Sequence, residues 1–572
     1  MTKFSWKIGG EAGFGIMTTG LVFSKIASRL GYQIFDYVEY PSLIRGGHNT
    51  YEVVVGEEEV SALQVSVDYL VCLNSDTYRF HCSRLHKNSI VIYDQEDFQI
   101  TDFANTVAVP FKKILHEQQG QLVMKNTIAV GASLALLGSD LAILNELIEK
   151  QFRRKGEAIV EFNKKFARMG HHYVTANYQA KIKKKLVNRK GEVQMVMTGN
   201  DAFSYAAAGA DCRLFAAYPM TPSSSVLTSL AAWQEKTGMV VRHAEDEISV
   251  INTVLGASFA GVRAACATSG GGFALMVESL SFAGVAELPV VVFLSSRPGP
   301  ATGMPTWTEQ SDLLFAVHAG HGEFPKIVLA PGDIGEMIGL TAKAFNLADI
   351  YQTPVIVMSD MFLSESHKTI SKQQVDNFFR AFQIERGKTI SAWDGGQYLR
   401  YKLTDDGISE RVIPGAKGVY YQANSYEHIE DGHTTEDAVA RKQQVDKRNK
   451  KMTTYLKNHF ANPKIYGDLN SAKVVFVSWG STKGVLLTAQ ELLRSGYSRE
   501  TALIHFTSLF PLNKEKVRVL FKKNRRYVLV ENNSQAQFGK LLLMETGVEI
   551  KEKLLKYDGR PFWPEEIVNY VK

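Results

Sequence analysis

AYPMTPSSS, Ala217–Ser225, follows a short apolar run, Leu214–Ala217, and carries two prolines that bracket Thr221. Each proline fixes its own φ and confines the residue before it to extended backbone. Thr221 therefore presents its hydroxyl from a stiff loop at the carboxyl end of a strand, the edge at which open α/β sheets take ligands. One of Ser223–Ser225 is expected to cap a following helix. Capping accounts for the serines but not for the Pro-x-Thr-Pro spacing.

Outward from this loop, strand and helix alternate. AEDE at Ala244–Glu247 opens a helix with Ile248, Ile251 and Leu255 on one face. Ala264–Thr268 reads as a strand running into Gly270–Gly272 and another helix, and PVVVFL (Pro289–Leu294) and PVIVM (Pro354–Met358) are apolar runs of the kind buried on both sheet faces. The alternation predicts a parallel α/β unit over 192–395.

Residues 1–180 read similarly. Phe4–Ile8 is a predicted strand, GGEAGFG (Gly9–Gly15) a turn, and Val22, Ile26 and Leu30 one face of a helix that Gly31 ends. Strands follow at Tyr51–Val55, Tyr69–Leu73 and Ile90–Tyr93, then a helix with Leu144, Ile148 and Phe152, before a basic stretch leads away over Arg153–Lys190. VVFV at Val474–Val477 begins a third unit, 466–572, and the polar segment 396–465 is predicted as a linker or insertion. The predicted class is α/β, three domains with mainly parallel sheets.

Composition sets outer bounds. A chain of 572 residues has room for roughly three or four domains. A formal charge of +6 over that length supports no nucleic-acid partner. Its two basic runs, Lys181–Lys190 and Arg441–Lys451, lack the interleaved aromatics that stack bases and read as solvated linker or helix face. The four cysteines, Cys72, Cys82, Cys212 and Cys266, show no C-x-x-C spacing, so neither zinc nor an iron–sulfur cluster is expected in this chain. MTKFSWKIGGE has no signal-like apolar core, and Asp140, Asn145 and Glu146 interrupt the longest apolar segment, Thr127–Ile148. A cytoplasmic protein with reduced thiols and no membrane contact is expected.

Several residues are candidates for chemistry. GGEAGFG suits a close phosphate approach, but read from Gly13 it is G-x-G-x-x-T, and only Asp36 stands near the distance a dinucleotide ribose partner requires. A tight turn or another ligand competes with an NAD or FAD site. SLIRGG (Ser42–Gly47) sets Arg45 beside Gly46, an anion site in principle or a turn with a solvated arginine. Glu245, Asp246 and Glu247 satisfy the dipole of a helix start, and one of them in an apolar cleft would serve as proton donor or hydrogen-bond partner to a heterocycle nitrogen. Arg297, at a strand end among Pro298, Gly299 and Pro300, is placed to grip a carboxylate or is simply exposed. His428 and His433 lie in the polar segment with no visible apolar shell, and no metal site is assigned.

YPMTPSS, AEDE and SSRPGPATGMPT (Ser295–Thr306) together resemble the alpha subunit of the thiamine-diphosphate-dependent 2-oxoacid:ferredoxin oxidoreductases. The resemblance spans nearly the whole chain and is most specific in its middle third. It implies a gamma domain over 1–180, associated with coenzyme A through Gly13, Gly15, Arg45 and Gly46, fused ahead of a pyrimidine-type thiamine diphosphate domain and a transketolase C-terminal-like domain. It implies that Glu247, with Glu245 the competing assignment, hydrogen-bonds the aminopyrimidine ring and supports the imino tautomer that activates the thiazolium carbon. Thr221 and Arg297 would bind the 2-oxoacid carboxylate, with Tyr218 in the same loop. The implied reaction is oxidative decarboxylation of a 2-oxoacid, 2-oxoglutarate favoured, to acyl-CoA and carbon dioxide, with electrons passing to ferredoxin. Magnesium and a [4Fe–4S] cluster are implied in a beta subunit, in an αβ or α2β2 assembly. Ser225, where many relatives are acidic, and Pro298, where a second glycine is common, leave pyruvate and branched 2-oxoacids open. A non-catalytic assembly or coenzyme-A-binding subunit and an NAD- or FAD-dependent oxidoreductase are the rival readings.

Overall fold

The computed structural model describes residues 3–42, 47–189, 191–393, 395–522 and 524–572. They form two compact units. One gathers the chain up to Met197 with Ser366–Asn377 and Trp563–Glu565; the other holds the remainder.

Eight strands make the sheet of the first unit. Lys3–Glu11 lies inside it, buried along its whole interior, with Trp6 stacked on Phe23 at 4.2 Å and donating its indole N–H to Ser133 at 3.1 Å. It pairs in parallel with Val67–Cys72 but antiparallel with His48–Gly56, which in turn pairs antiparallel with Gln33–Glu39. The sheet is therefore mixed. The short return from Glu39 to His48 has no room for a crossover helix, so the two strands must run in opposite directions. Gln33–Glu39 escapes a sequence reading because Asp36 interrupts its apolar pattern. Asp36 is buried, accepting from the Tyr51 hydroxyl at 2.5 Å, Ser24 at 2.9 Å and the His367 amide at 2.7 Å.

Two further differences concern boundaries. Gln194–Met197 and Lys368–Ser371, both inside the predicted second region, pair with each other and extend the first unit's sheet. Most of the basic stretch after Arg153 is a packed helix, Glu157–Asn177, which buries Val160, Phe166, Ala167 and Val174. It crosses Lys125–Leu136 so closely that Gly131 and Gly170 face carbonyls of the opposite helix.

The second unit holds a seven-stranded sheet. Val240–His243, Cys212–Ala217, Arg263–Thr268, Val290–Ser296, Pro354–Asp360 and Ile327–Leu329 run parallel in that order, and Ser508–Phe510 closes the edge antiparallel. A five-stranded sheet is built on Val474–Trp479, Thr501–Phe506 and Arg526–Glu531. With these sheets the fold class is α/β, mainly parallel.

The segment 396–465, read as a polar linker, packs into this unit. Ala438–Asn458 is a helix, and Lys447 and Lys451 of the basic run are buried, each 2.6 Å from the fully buried Glu287, while Arg448 pairs with Glu427 at 2.8 Å. A charge run reads as solvated only while its counter-ions are out of sight, and here they arrive from another part of the chain. Among the described residues no helix is long and apolar enough to cross a membrane.

Candidate active site

Three neighbouring parallel strands, ending at Ala217, Thr268 and Ser296, deliver their following segments to one edge of the seven-stranded sheet. After Ala217 the chain turns tightly: the Ser223 amide and hydroxyl both donate to the Met220 carbonyl, at 2.9 and 2.8 Å. Buried Asn200 holds the loop from below, donating to Pro222 O at 2.7 Å and Ser225 Oγ at 2.8 Å. This anchor lies outside the motif and left no local signal. Arg297 reaches back and donates from Nη1 to Thr221 O at 2.7 Å. Thr221 and Arg297 are thus brought together. Tyr218 is 39% exposed in the same loop.

The three acids separate. Asp246 caps the helix Glu247–Phe259, its Oδ1 accepting from the Ser249 amide at 2.8 Å. Glu245 is exposed. Glu247 is only 3% exposed, and its Oε1 is buried with no hydrogen-bond partner. Burial pushes its carboxyl above the usual range, with a smaller push from Asp246.

Beside it begins the helix Gly270–Val285. A Cβ on Gly272 would lie 2.3 Å from Glu247 Oε1 and 2.2 Å from Thr268 Oγ1, so only hydrogen fits there. The same crowding meets Gly270, where a Cβ would come within 2.6 Å of the Asp312 carboxylate. Asp312 and its half-buried neighbour Glu309 were not singled out from sequence. Burial raises the Asp312 carboxyl against the opposing pull of Ser296 and Arg297, and burial, then Asp312, pushes Glu309 up to about 7. Burial lowers the Arg297 guanidinium while Asp312 opposes the shift.

In the first unit Gly13 and Gly15 take left-handed backbone, φ 94° and 71°, and lead into the helix Ile16–Arg29, whose start has no side-chain cap. A cavity of about 320 Å³ opens there. Gly15, Thr18, Thr19 and Asn126 line its polar end, and Val22 and Ile148 lie among its apolar walls. Asn126 Oδ1 is buried without a partner. Arg45 and Gly46 fall outside the described residues. Asp36 is wholly engaged with Tyr51, Ser24 and His367, so it is not available to a dinucleotide ribose. The His428 ring nitrogens face the Ile429 and Val285 carbonyls at 3.1 Å each, and His433 pairs with Asp431.

A buried carboxyl with an unanswered oxygen suits a ligand bringing a ring nitrogen, and its place at a parallel-sheet edge is where open α/β units take ligands. The family model "Pyruvate flavodoxin/ferredoxin oxidoreductase, thiamine diP-bdg" matches residues 205–447, and "Pyruvate ferredoxin/flavodoxin oxidoreductase" matches 5–173. The 2-oxoacid:ferredoxin oxidoreductase alpha subunit of a Sulfolobus species is 34% identical over 99% of this chain and 96% of its own length. The KorA subunit of 2-oxoglutarate synthase from Methanothermobacter marburgensis is 30% identical over 65% of this chain and 97% of its own. The solved 2-oxoglutarate:ferredoxin oxidoreductase of Magnetococcus marinus, with 2-oxoglutarate, coenzyme A and succinyl-CoA bound, superposes with a TM-score of 0.92 at 30% identity, covering 100% of this chain and 99% of that one. The chain belongs to the 2-oxoacid:ferredoxin oxidoreductases and is an alpha subunit of that family. It is accordingly part of an oxidoreductase that passes electrons from 2-oxoacids to ferredoxin and works with a further subunit.

Proposed function

We propose that the enzyme oxidises 2-oxoglutarate to succinyl-CoA and carbon dioxide, with Glu247, Thr221 and Arg297 as this chain's working residues. The buried, unpartnered Oε1 of Glu247 carries the reading. Burial raises its carboxyl above the usual range, and the unanswered oxygen would be the hydrogen-bond partner of the aminopyrimidine ring of thiamine diphosphate. Gly272 leaves the space that the Glu247 carboxyl and the Thr268 hydroxyl occupy, and so lets that carboxyl keep its place. Bound there, the cofactor supplies the electron sink for decarboxylation.

Arg297 spends one N–H on Thr221 O and has others to offer a substrate carboxylate. The Thr221 hydroxyl stands on the same rigid loop, and Tyr218 forms its exposed side. Glu245, exposed at the helix start, is the competing acid, and Glu247 is preferred for its burial. 2-Oxoglutarate is favoured over pyruvate and branched 2-oxoacids because the Magnetococcus marinus enzyme is described with 2-oxoglutarate and the Methanothermobacter marburgensis relative is a 2-oxoglutarate synthase subunit.

Coenzyme A associates with the first unit at the Gly13–Gly15 turn, where uncapped amides and the adjoining cavity suit a phosphate joined to a less polar moiety. The beta subunit supplies the diphosphate and magnesium site and the [4Fe–4S] cluster, in a cytoplasmic αβ or α2β2 enzyme. The test is ferredoxin or viologen reduction by this chain with its partner subunit, thiamine diphosphate, magnesium, coenzyme A and a panel of 2-oxoacids. Coenzyme-A-dependent reduction with 2-oxoglutarate is expected. Preference for pyruvate or a branched acid would correct the substrate, and turnover unaffected by Glu247→Ala would remove the mechanism.

A further inference from the structure

The strand Arg263–Thr268 runs through Ser269 directly into the helix Gly270–Val285, and the start of that helix is unanswered. The Phe273 amide bonds Ser269 O at 2.8 Å, so the amides of Gly270, Gly271 and Gly272 lie ahead of the helical ladder. None of the three has a hydrogen-bond partner among the described residues. Ser269 is the residue type that ordinarily caps such amides. Here it makes no cap bond, is fully buried, and leaves its Oγ without a partner.

A second hydroxyl stands beside it. Thr268 pairs with Leu294 on the neighbouring strand Val290–Ser296, a register that brings Ser296 level with Gly270. Ser296 is 1% exposed, and its Oγ also lacks a partner. Buried hydroxyls are nearly always hydrogen-bonded, because an unmet one forfeits its hydration. Two of them at one uncapped helix start suit a ligand that accepts hydrogen bonds.

The glycines keep the place open. A Cβ on Gly271 would meet only Met220 Sδ, at 4.0 Å, and Gly271 is exposed, so the helix start opens to solvent there. Met220 directly precedes Thr221 and Ser296 directly precedes Arg297. The helix start therefore adjoins both residues assigned above to the substrate's 2-carboxylate. The positive end of a 16-residue helix favours an anion. Glu247 flanks it beside Gly272 and Asp312 beside Gly270, and burial raises both carboxyls, which favours their uncharged forms.

We infer that this helix start is a second carboxylate seat, in which the Gly270–Gly272 amides and the Ser269 and Ser296 hydroxyls take the distal carboxylate of a dicarboxylic 2-oxoacid. The inference rests on the reading of Thr221 and Arg297 given above, which accounts for the 2-carboxylate and leaves the other to be bound. A monocarboxylic 2-oxoacid brings an alkyl end to the same donors and leaves them unmet, so the seat selects the substrate as well as holding it.

The experiment compares kcat/KM for 2-oxoglutarate with kcat/KM for 2-oxobutyrate in the complete enzyme, this chain with its partner subunit, read by viologen reduction. Gly271→Asp sets a resident carboxylate in the seat at a position with room for it, and is expected to lower the ratio about 100-fold through like-charge opposition. Gly271→Asn, equal in size without the charge, is expected to move the ratio less than about threefold. Ser269→Ala is expected to lower it about tenfold, the loss of one hydrogen bond to a charged group. A ratio within threefold of the parent in both Gly271→Asp and Ser269→Ala, or equal losses for the two acids, would overturn the seat, as would a parent enzyme that prefers 2-oxobutyrate. Arg297→Lys is expected to raise KM for both acids alike, and an enzyme with both values unaltered would instead overturn the reading of Arg297. Should Gly271→Asp fail to assemble, Ser269→Ala decides by itself, and an unmoved ratio there would overturn the seat.

Discussion

Gly272→Ala tests the placement of Glu247 more severely than removing the acid does, because it leaves every functional group present. The new methyl would start 2.3 Å from Glu247 Oε1 and 2.2 Å from Thr268 Oγ1, where ordinary contact begins near 3.4 Å. About 1.1 Å of movement is therefore demanded of Glu247 and about 1.2 Å of Thr268. Thr268 can rotate its hydroxyl away, but the Glu247 backbone is fixed at the first residue of its helix by the adjacent Asp246 cap, so its carboxyl must swing from the position proposed to meet the cofactor ring. A displacement of about 1 Å at a catalytic group costs on the order of 100-fold in rate. Overpacking a buried position costs about 1–3 kcal/mol of stability besides. In the reconstituted enzyme kcat is expected to fall about 100-fold in viologen reduction, with a melting temperature lowered by only a few degrees. A folded Gly272→Ala enzyme with kcat within threefold of the parent would refute the placement of Glu247 against the cofactor.

Asp246→Asn keeps a good N-cap but removes the charge that helps raise Glu247, so the pH limb of kcat belonging to Glu247 is expected to move to lower pH; an unmoved limb would assign it to another group. Glu287→Gln strands Lys447 and Lys451 in the interior and is expected to cost about 3–5 kcal/mol in urea unfolding, whereas a loss under 1 kcal/mol would show the lysines neutral without it. The same carboxylate is held below its unfolded pKa by the two lysines and Arg400 despite its burial. Its contribution is therefore present above about pH 4.3 and is lost as pH falls through the folded value, and the acid side of the stability profile is expected to flatten in the variant. Thr18→Trp, at the mouth of the first unit's cavity, is expected to raise KM for coenzyme A about tenfold and leave that for the 2-oxoacid unchanged; an unaffected KM would separate the cavity from coenzyme A.

What could be read from the sequence was local. The Pro-x-Thr-Pro loop, the acid at a helix start and the arginine at a strand end each announce themselves within a dozen residues, because backbone restriction and helix-start chemistry act at short range. Their common sheet edge also followed, since parallel strands return every loop of that kind to the same side. What escaped needed partners from afar. Asp312 lies well beyond Arg297 in sequence and acquires its place only when Gly270 leaves room for it. Lys447 and Lys451 looked solvated because Glu287 sits in a turn with no motif around it. Gln33–Glu39 escaped because Asp36, bonded to Tyr51 and His367, interrupts its apolar pattern.

The three consecutive acids show how one short stretch divides opposing demands. A helix start favours an anion, while burial favours the neutral acid, and a single carboxyl could not serve both. Asp246, at the cap, answers the helix amides by accepting from Ser249 N. Glu247, one residue on, is freed from capping and turned into the interior, where burial outweighs the helix field and raises its pKa. The charge on Asp246 reinforces that rise, so the cap that fixes the Glu247 backbone also tunes its proton affinity. Glu245, outside both roles, is left to solvent. The order of the three residues therefore matters more than their number. An acid moved by one position would become either a cap or a surface charge, and the buried, unanswered oxygen would be lost.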